Sequence, residues 1–163
     1  MIQLLRVDDA LLHGQVAVFW VNSTASTMIL VANDRYANND MLSMSLKLGK
    51  PSGVDLEIKT VANAIEILKN PENQDKKILV VVDKMEDALE ICSHVSDIPE
   101  INLGGLRNAD GKVRISIRVH LNENDIHICE QLHDQGFSIS CMETPMSNQI
   151  TYEEIIKIFN QKK

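Results

Sequence analysis

Ile78-Leu79-Val80-Val81-Val82 is an unbroken apolar run, followed by Asp83-Lys84 and then by the helically spaced segment Met85–His94. A run so short and so rich in β-branched side chains reads as a strand buried on both faces, as in a parallel sheet covered by helices. Working outward, comparable runs lie at Ile2–Val7, Thr27–Ala32, Val54–Ile58, Ile101–Leu103, Val113–Val119 and Phe137–Met142. Helical spacing between them predicts helices over Gln15–Asn22, Asn39–Leu48, Val61–Leu68, Asn124–Gln135 and Tyr152–Asn160. This alternation predicts an α/β fold, a three-layer α/β/α sandwich around a mainly parallel sheet with right-handed crossovers. Gly104–Val119 breaks the rhythm. There the alternation of Val113, Ile115, Ile117 and Val119 predicts a half-exposed strand, at an edge or antiparallel, in the C-terminal third. Met41, Met44 and Leu48 repeat at i, i+3 and i+7 and are read as an ordinary packing face.

The chain has 163 residues, of which 44% are hydrophobic and 24% charged, so a single domain over residues 1–163 with one main core is expected. Sixteen Lys and Arg against twenty-three Asp and Glu leave a net charge of -7, which argues against nucleic acid as a partner. Cys92, Cys129 and Cys141 are too far apart for a metal or redox pair and read as reduced core filler. Arg6, Asp8 and Asp9 interrupt the N-terminal apolar stretch before a secretory segment can form, and no apolar run approaches the ~20 residues that span a bilayer.

In open parallel sheets, ligands collect at the carboxyl ends of the strands, which directs attention to Asp8–Gly14, Asn33–Tyr36, Asp83–Lys84 and Asn102–Asn108. Neither a GxGxxG turn nor a P-loop occurs in any of them. The spacing from Gly105 to Gly111-Lys112 is one residue too long for a P-loop, and Asp110-Gly111 reads as a turn. The histidines His13, His94, His120, His127 and His133 form no HxxxH or HExxH pair, so no metal site is expected. His127 and His133 lie about 120° from a shared helix face and are read as exposed or boundary residues. A GxSxG elbow is also missing.

Arg6-Val7-Asp8-Asp9-Ala10-Leu11-Leu12-His13-Gly14-Gln15-Val16 is the loop with chemistry in it. A strand delivers two carboxylates and an imidazole, and an apolar helix with Trp20 comes next. His13 is expected at a helix amino terminus, where open backbone N–H groups and the helix dipole favour an anion and a neutral, nucleophilic imidazole. A phosphoryl acceptor needs that form, with a carboxylate orienting the other ring nitrogen. Asp9 is the nearer candidate for that orientation and Asp8 the second; both also read as turn or capping residues.

The stretch Arg6-Val7-Asp8-Asp9, Leu12-His13-Gly14-Gln15-Val16 and Trp20 resembles the N-terminal signature of enzyme IIB of the mannose/fructose/sorbose class of the bacterial sugar phosphotransferase system. Val31-Ala32-Asn33-Asp34, Pro51–Val54, Asn102-Leu103-Gly104-Gly105, Leu132–Phe137 with Gly136, and Pro145 extend the resemblance over almost the whole chain. It implies a three-layer domain acting as a phosphohistidine carrier. A phosphorylated IIA domain would load His13, and His13 would pass the group to a sugar entering through membrane IIC and IID subunits. Neither metal nor other cofactor is implied. The implied location is cytoplasmic, at the inner face of the membrane through the transporter complex, and a homodimer is compatible with exposed edge strands.

The resemblance also implies phosphate-binding or orienting roles for Arg6, Asp9, Gly14, Gln15, Gly104 and Gly105. Arg6 reads equally as the partner of a structural carboxylate such as Asp34. Gly104 and Gly105 read as tight turns whose N–H groups also approach a phosphate. Trp20 reads as core. Ala10 stands where the family usually has an Arg three residues before the histidine. Arg6 or Arg107 could substitute for it, the protein could be an impaired paralogue acting as a regulatory protein-binding module, or the residue could have been altered deliberately. A small-molecule binding domain of the same architecture is the third class of function.

Overall fold

The computed structural model describes residues 1–163 and places Ile78–Val82 as a strand with a parallel partner on each side, every one of its residues buried. In chain order the strands and helices are β1 (Ile2–Asp8), α1 (Gly14–Thr24), β2 (Met28–Ala32), α2 (Asp34–Ala37), α3 (Asp40–Leu48), β3 (Asp55–Lys59) and α4 (Val61–Lys69). A single 3-10 turn at Pro71–Asn73 leads to β4 (Ile78–Val82), α5 (Met85–His94), β5 (Ile101–Gly105), β6 (Val113–Arg114) and β7 (His120–Leu121). The chain ends with α6 (Glu123–Asp134), β8 (Ile139–Cys141), β9 (Ile150–Thr151) and α7 (Tyr152–Lys162). Seven strands form the main sheet in the order β3-β2-β4-β1-β5-β8-β9, all parallel except the edge strand β9, which pairs antiparallel with β8. The mainly parallel α/β architecture is therefore as the sequence predicts, and an antiparallel edge strand does lie in the C-terminal third, at β9 rather than at Val113–Val119.

Three local readings are corrected. Val113–Val119 is no single strand. It is one arm and the tip of the separate hairpin β6-β7, in which Ile115 and Val119 are buried while Ile117 at the turn is exposed. A two-residue alternation fits a hairpin folded back on itself as well as an extended strand. The short β9 and α2 carry too few residues to show a period and are found only in the structure. Met41, Met44 and Leu48 do share a helix face, but that face is exposed; α3 packs through buried Leu46 and half-buried Leu42. Spacing establishes which residues share a side of a helix, not which way that side points.

The two layers flanking the sheet are unequal, and the inequality creates the site. One cluster of 33 buried apolar residues joins the sheet to α4, α5, α6 and α7, whereas the other has only 10 and joins it to α1 and α3. The thin layer leaves part of the face over β1, β5 and β8 to a polar row. In the parallel registers Arg6 lies beside Asn102 and Asn102 beside Ser140, so all three side chains emerge on that one face, and all are buried. The cysteines are free and buried; burial pushes Cys92 and Cys129 up to about 12, as suits unreactive core residues. No helix is long and apolar enough to cross a membrane.

Candidate functional site

The switch point of this sheet falls between β1 and β5. From β1 the chain enters α1, whose Trp20 and Val21 belong to the smaller cluster; from β5 it reaches α6, whose Ile126, Ile128 and Leu132 belong to the larger. Connections leaving to opposite faces open a crevice at the carboxyl ends of the two strands. Asp8 ends β1 in register with Gly105, the last residue of β5, so the loop 9–13 rises beside the one after Gly105. Leu11 pins it: its N–H donates to the Asp8 carbonyl at 2.9 Å, and its side chain is buried in the smaller cluster despite a φ of 58°. A left-handed leucine costs on the order of 1–2 kcal/mol, which burial of the side chain offsets.

Asp8 is the hub. It is fully buried, and its Oδ2 accepts from Arg6 Nη2 at 2.9 Å and from His13 Nε2 at 2.7 Å, while Oδ1 accepts from the Ala10 N–H at 2.9 Å. The orienting role that the sequence assigns first to Asp9 therefore lies with Asp8. Along β1, side chains alternate between faces, which puts Asp8 on the same side as Arg6 and sends Asp9 away. Asp9 serves a different contact: its Oδ2 accepts from the Arg107 backbone N–H at 2.8 Å and from Arg107 Nε at 3.3 Å.

Arg6 is 3% exposed and lies 5.3 Å from the centre of the Trp20 ring. Its Nη1 donates to Asn102 Oδ1 at 2.6 Å and to the Met142 carbonyl at 3.3 Å. Burial pulls the guanidinium pKa below its ordinary value, while the charge of Asp8 and its hydrogen bond oppose the drop. Arg6 does not pair with Asp34, whose Oδ1 instead accepts from the Val61 N–H at the start of α4. Trp20 is a core residue, as expected, and its Nε1 donates to the Glu143 carbonyl at 2.9 Å. Asn102 is the member of this network that sequence reasoning misses as a functional residue. A lone amide inside the apolar strand Ile101-Asn102-Leu103 is the signal that could have found it.

Gly104 and Gly105 are strand residues, not the tight turns expected from the sequence. They are bare because Arg6 and Asp8 lie across them. A Cβ on Gly104 would overlap the Arg6 guanidinium, and one on Gly105 would stand 2.9 Å from Asp8 Oδ1.

His13 occupies the N-cap position of α1, but its ring is held by Asp8 and caps nothing. Five of the seven α-helices begin with a capping side chain (Asn33, Asn39, Thr60, Asn122 and Thr151); α1 does not, and so Gly14, Gln15 and Val16 present open backbone N–H groups. Gly14 has a φ of 49°, which a glycine adopts without strain, and Gly14 and Gln15 are exposed. The His13 side chain is 28% exposed. A carboxylate can only accept, so Nε2 carries the ring hydrogen in the neutral form, and the lone pair lies on Nδ1, which makes no hydrogen bond within the protein. In that form an unshared electron pair lies on a ring at the uncapped amino end of α1. No group of three or more His, Cys, Asp or Glu is placed to hold a metal.

The family profile described as PTS system sorbose subfamily IIB component matches residues 2–163. The chain belongs to this family. A probable phosphotransferase enzyme IIB component of Streptococcus pyogenes serotype M6 is 33% identical over 155 residues, 92% of this chain and 91% of that protein. The sorbose-specific EIIB component of Lacticaseibacillus casei is 28% identical over 138 residues, 85% of this chain and 84% of that one. Among solved structures, the IIBSor domain of the sorbose permease from Klebsiella pneumoniae superposes with a TM-score of 0.91 at 24% identity, covering 96% of this chain and 97% of that one. This IIB component is thus a sugar phosphotransfer module with the fold of its family.

Proposed function

We propose that this IIB component receives a phosphoryl group from a phosphorylated IIA domain on Nδ1 of His13 and delivers it to a sugar entering through membrane IIC and IID subunits. The observation that carries the reading is the 2.7 Å bond from His13 Nε2 to buried Asp8, which leaves Nδ1 as the nucleophile beside an uncapped helix terminus. In loading, the Nδ1 lone pair attacks phosphorus, the N–P bond forms, and the donor atom of IIA departs with its bonding electrons. The ring keeps its Nε2 hydrogen and becomes cationic, a charge that Asp8 opposes across one hydrogen bond. In unloading, a sugar hydroxyl oxygen attacks phosphorus, the electron pair returns to Nδ1, and the hydroxyl proton passes to solvent. The open N–H groups of Gly14, Gln15 and Val16 suit the phosphoryl oxygens. On this reading the protein works at the inner face of the membrane, held there by the IIC and IID subunits.

Incubation with phosphorylated IIA is expected to add one phosphoryl mass to the wild-type chain and none to His13→Gln, with the phosphorus NMR shift of an Nδ1 adduct. An unlabelled wild type under conditions that label a known acceptor rejects the reading. Ala10 motivates the second reading, a regulatory module that seldom turns over. Under that reading Ala10→Arg raises sugar phosphorylation sharply; under the first, transfer is already fast and changes little.

A further inference from the structure

Resting on the His13 reading, we propose that Arg107 is a further catalytic residue, gripping the oxygens of the phosphoryl group while it is transferred. A phosphoryl group brings close to two negative charges at neutral pH, and this protein already carries a net charge of -7, so the site requires a local cation. Arg6 cannot serve. It is buried beneath Trp20, with Nη2 on Asp8 and Nη1 on Asn102 and the Met142 carbonyl.

The other cations at this end of the sheet are less suited, although Arg118 borders the same loop, its carbonyl accepting from the Leu106 N–H at 2.8 Å. Arg118 faces Glu143, with Nη1 at 3.9 Å from its carboxylate. Lys84 precedes α5 in the opposite layer. Arg35 lies over the Tyr36 ring on α2, beyond β2, and β4 separates β2 from β1.

Arg107 has the required combination of anchorage and freedom. Asp9 is the residue next to the Asp8 hub; its N–H donates to the Gly105 carbonyl at 2.8 Å, and its carboxylate holds both the backbone N–H and Nε of Arg107. These three bonds tie the 106–108 loop to the loop that carries His13. The Arg107 side chain is nevertheless 82% exposed, and because Asp9 engages only Nε, both terminal nitrogens are left without a partner in the protein. A guanidinium fixed at its root and free at its fork can take two phosphoryl oxygens side by side. Asp9, on this account, is a positioning residue for Arg107.

The test is rapid-quench transfer from phosphorylated IIA to wild type, Arg107→Ala, Arg107→Lys and Arg118→Ala. Labelling of wild-type His13 is established first; its absence rejects the carrier reading itself and is distinguishable from any effect of the arginine variants. Arg107→Ala is expected to slow the rate at saturating IIA by about tenfold to a hundredfold. The final stoichiometry on His13 and the thermal midpoint are expected to be unchanged. Arg107→Lys is expected to recover part of the rate, and Arg118→Ala to match wild type. Transfer by Arg107→Ala at the wild-type rate overturns the proposal. So does a loss confined to the apparent affinity for IIA, which marks a docking residue, or a loss seen in Arg118→Ala and not in Arg107→Ala.

Discussion

Gly104→Ala is expected to lower the unfolding free energy by about 3–5 kcal/mol, the usual cost of breaking a buried ion pair from one side. The new methyl group falls on the Arg6 guanidinium. Gly104 sits where the β1–β5 register shifts, between the pairs Val7–Leu103 and Asp8–Gly105, and the overlap falls on the head of the guanidinium, so Arg6 must leave its place. Departure takes the countercharge from fully buried Asp8, leaving it only the His13 and Ala10 donors, and removes the donor to Asn102 Oδ1. Urea unfolding with an unchanged slope reads the loss directly. Gly105→Ala provides the graded comparison. Its Cβ comes within 2.9 Å of Asp8 Oδ1, 3.2 Å of Cγ and 3.4 Å of Oδ2, a slighter overlap than at Gly104, so its loss is expected to be the smaller. A Gly104→Ala protein as stable as wild type would show that Arg6 does not depend on the bare backbone beneath it.

Asp8→Asn is expected to slow phosphoryl transfer to His13 by about a hundredfold or more, toward the roughly ten-thousandfold loss that follows when the carboxylate setting a triad imidazole's tautomer becomes an amide. The volume is kept and the chemistry is not. Oδ2 takes two donors, Arg6 Nη2 and His13 Nε2, while Oδ1 takes the Ala10 N–H. An amide NH2 placed at either position meets a donor. The imidazole can escape the conflict by accepting through Nε2, but that moves its hydrogen to Nδ1 and removes the lone pair that attacks phosphorus. The rate of mass gain measures the first consequence, and the phosphorus NMR shift of any product reports which nitrogen was used. A rate within threefold of wild type would remove Asp8 from the mechanism.

Asp8 and Gly104 also show how far the site is legible in the sequence. The motif Arg6–Val16 marks the loop and the histidine, and the order of strands and helices locates that loop at the carboxyl end of the sheet. The choice between Asp8 and Asp9 is open to the same reasoning, because the two-residue period of β1 puts Asp8 and not Asp9 on the side of Arg6. Nearness in sequence to His13 points the other way and misleads. The purpose of Gly104 and Gly105 is not legible. A glycine required by a side chain crossing from the adjacent strand looks, in one dimension, like a glycine required by a turn. Arg107 stands only as one possible substitute for a missing arginine until Asp9 is seen to hold it.

By itself the amino-acid sequence determined the class of fold and most of its alternation of strands and helices, and it marked the loop that carries His13, since apolar periodicity and capping are local properties that neighbouring residues settle among themselves. Only the tertiary structure decided why residues 104 and 105 lack side chains, that Val113–Val119 folds into a hairpin, and that the Met41, Met44 and Leu48 stripe faces outward. Each of those depends on strand register or layer placement, which set distances between residues as far apart in the chain as Arg6 and Gly104. No pattern along one segment encodes such a distance.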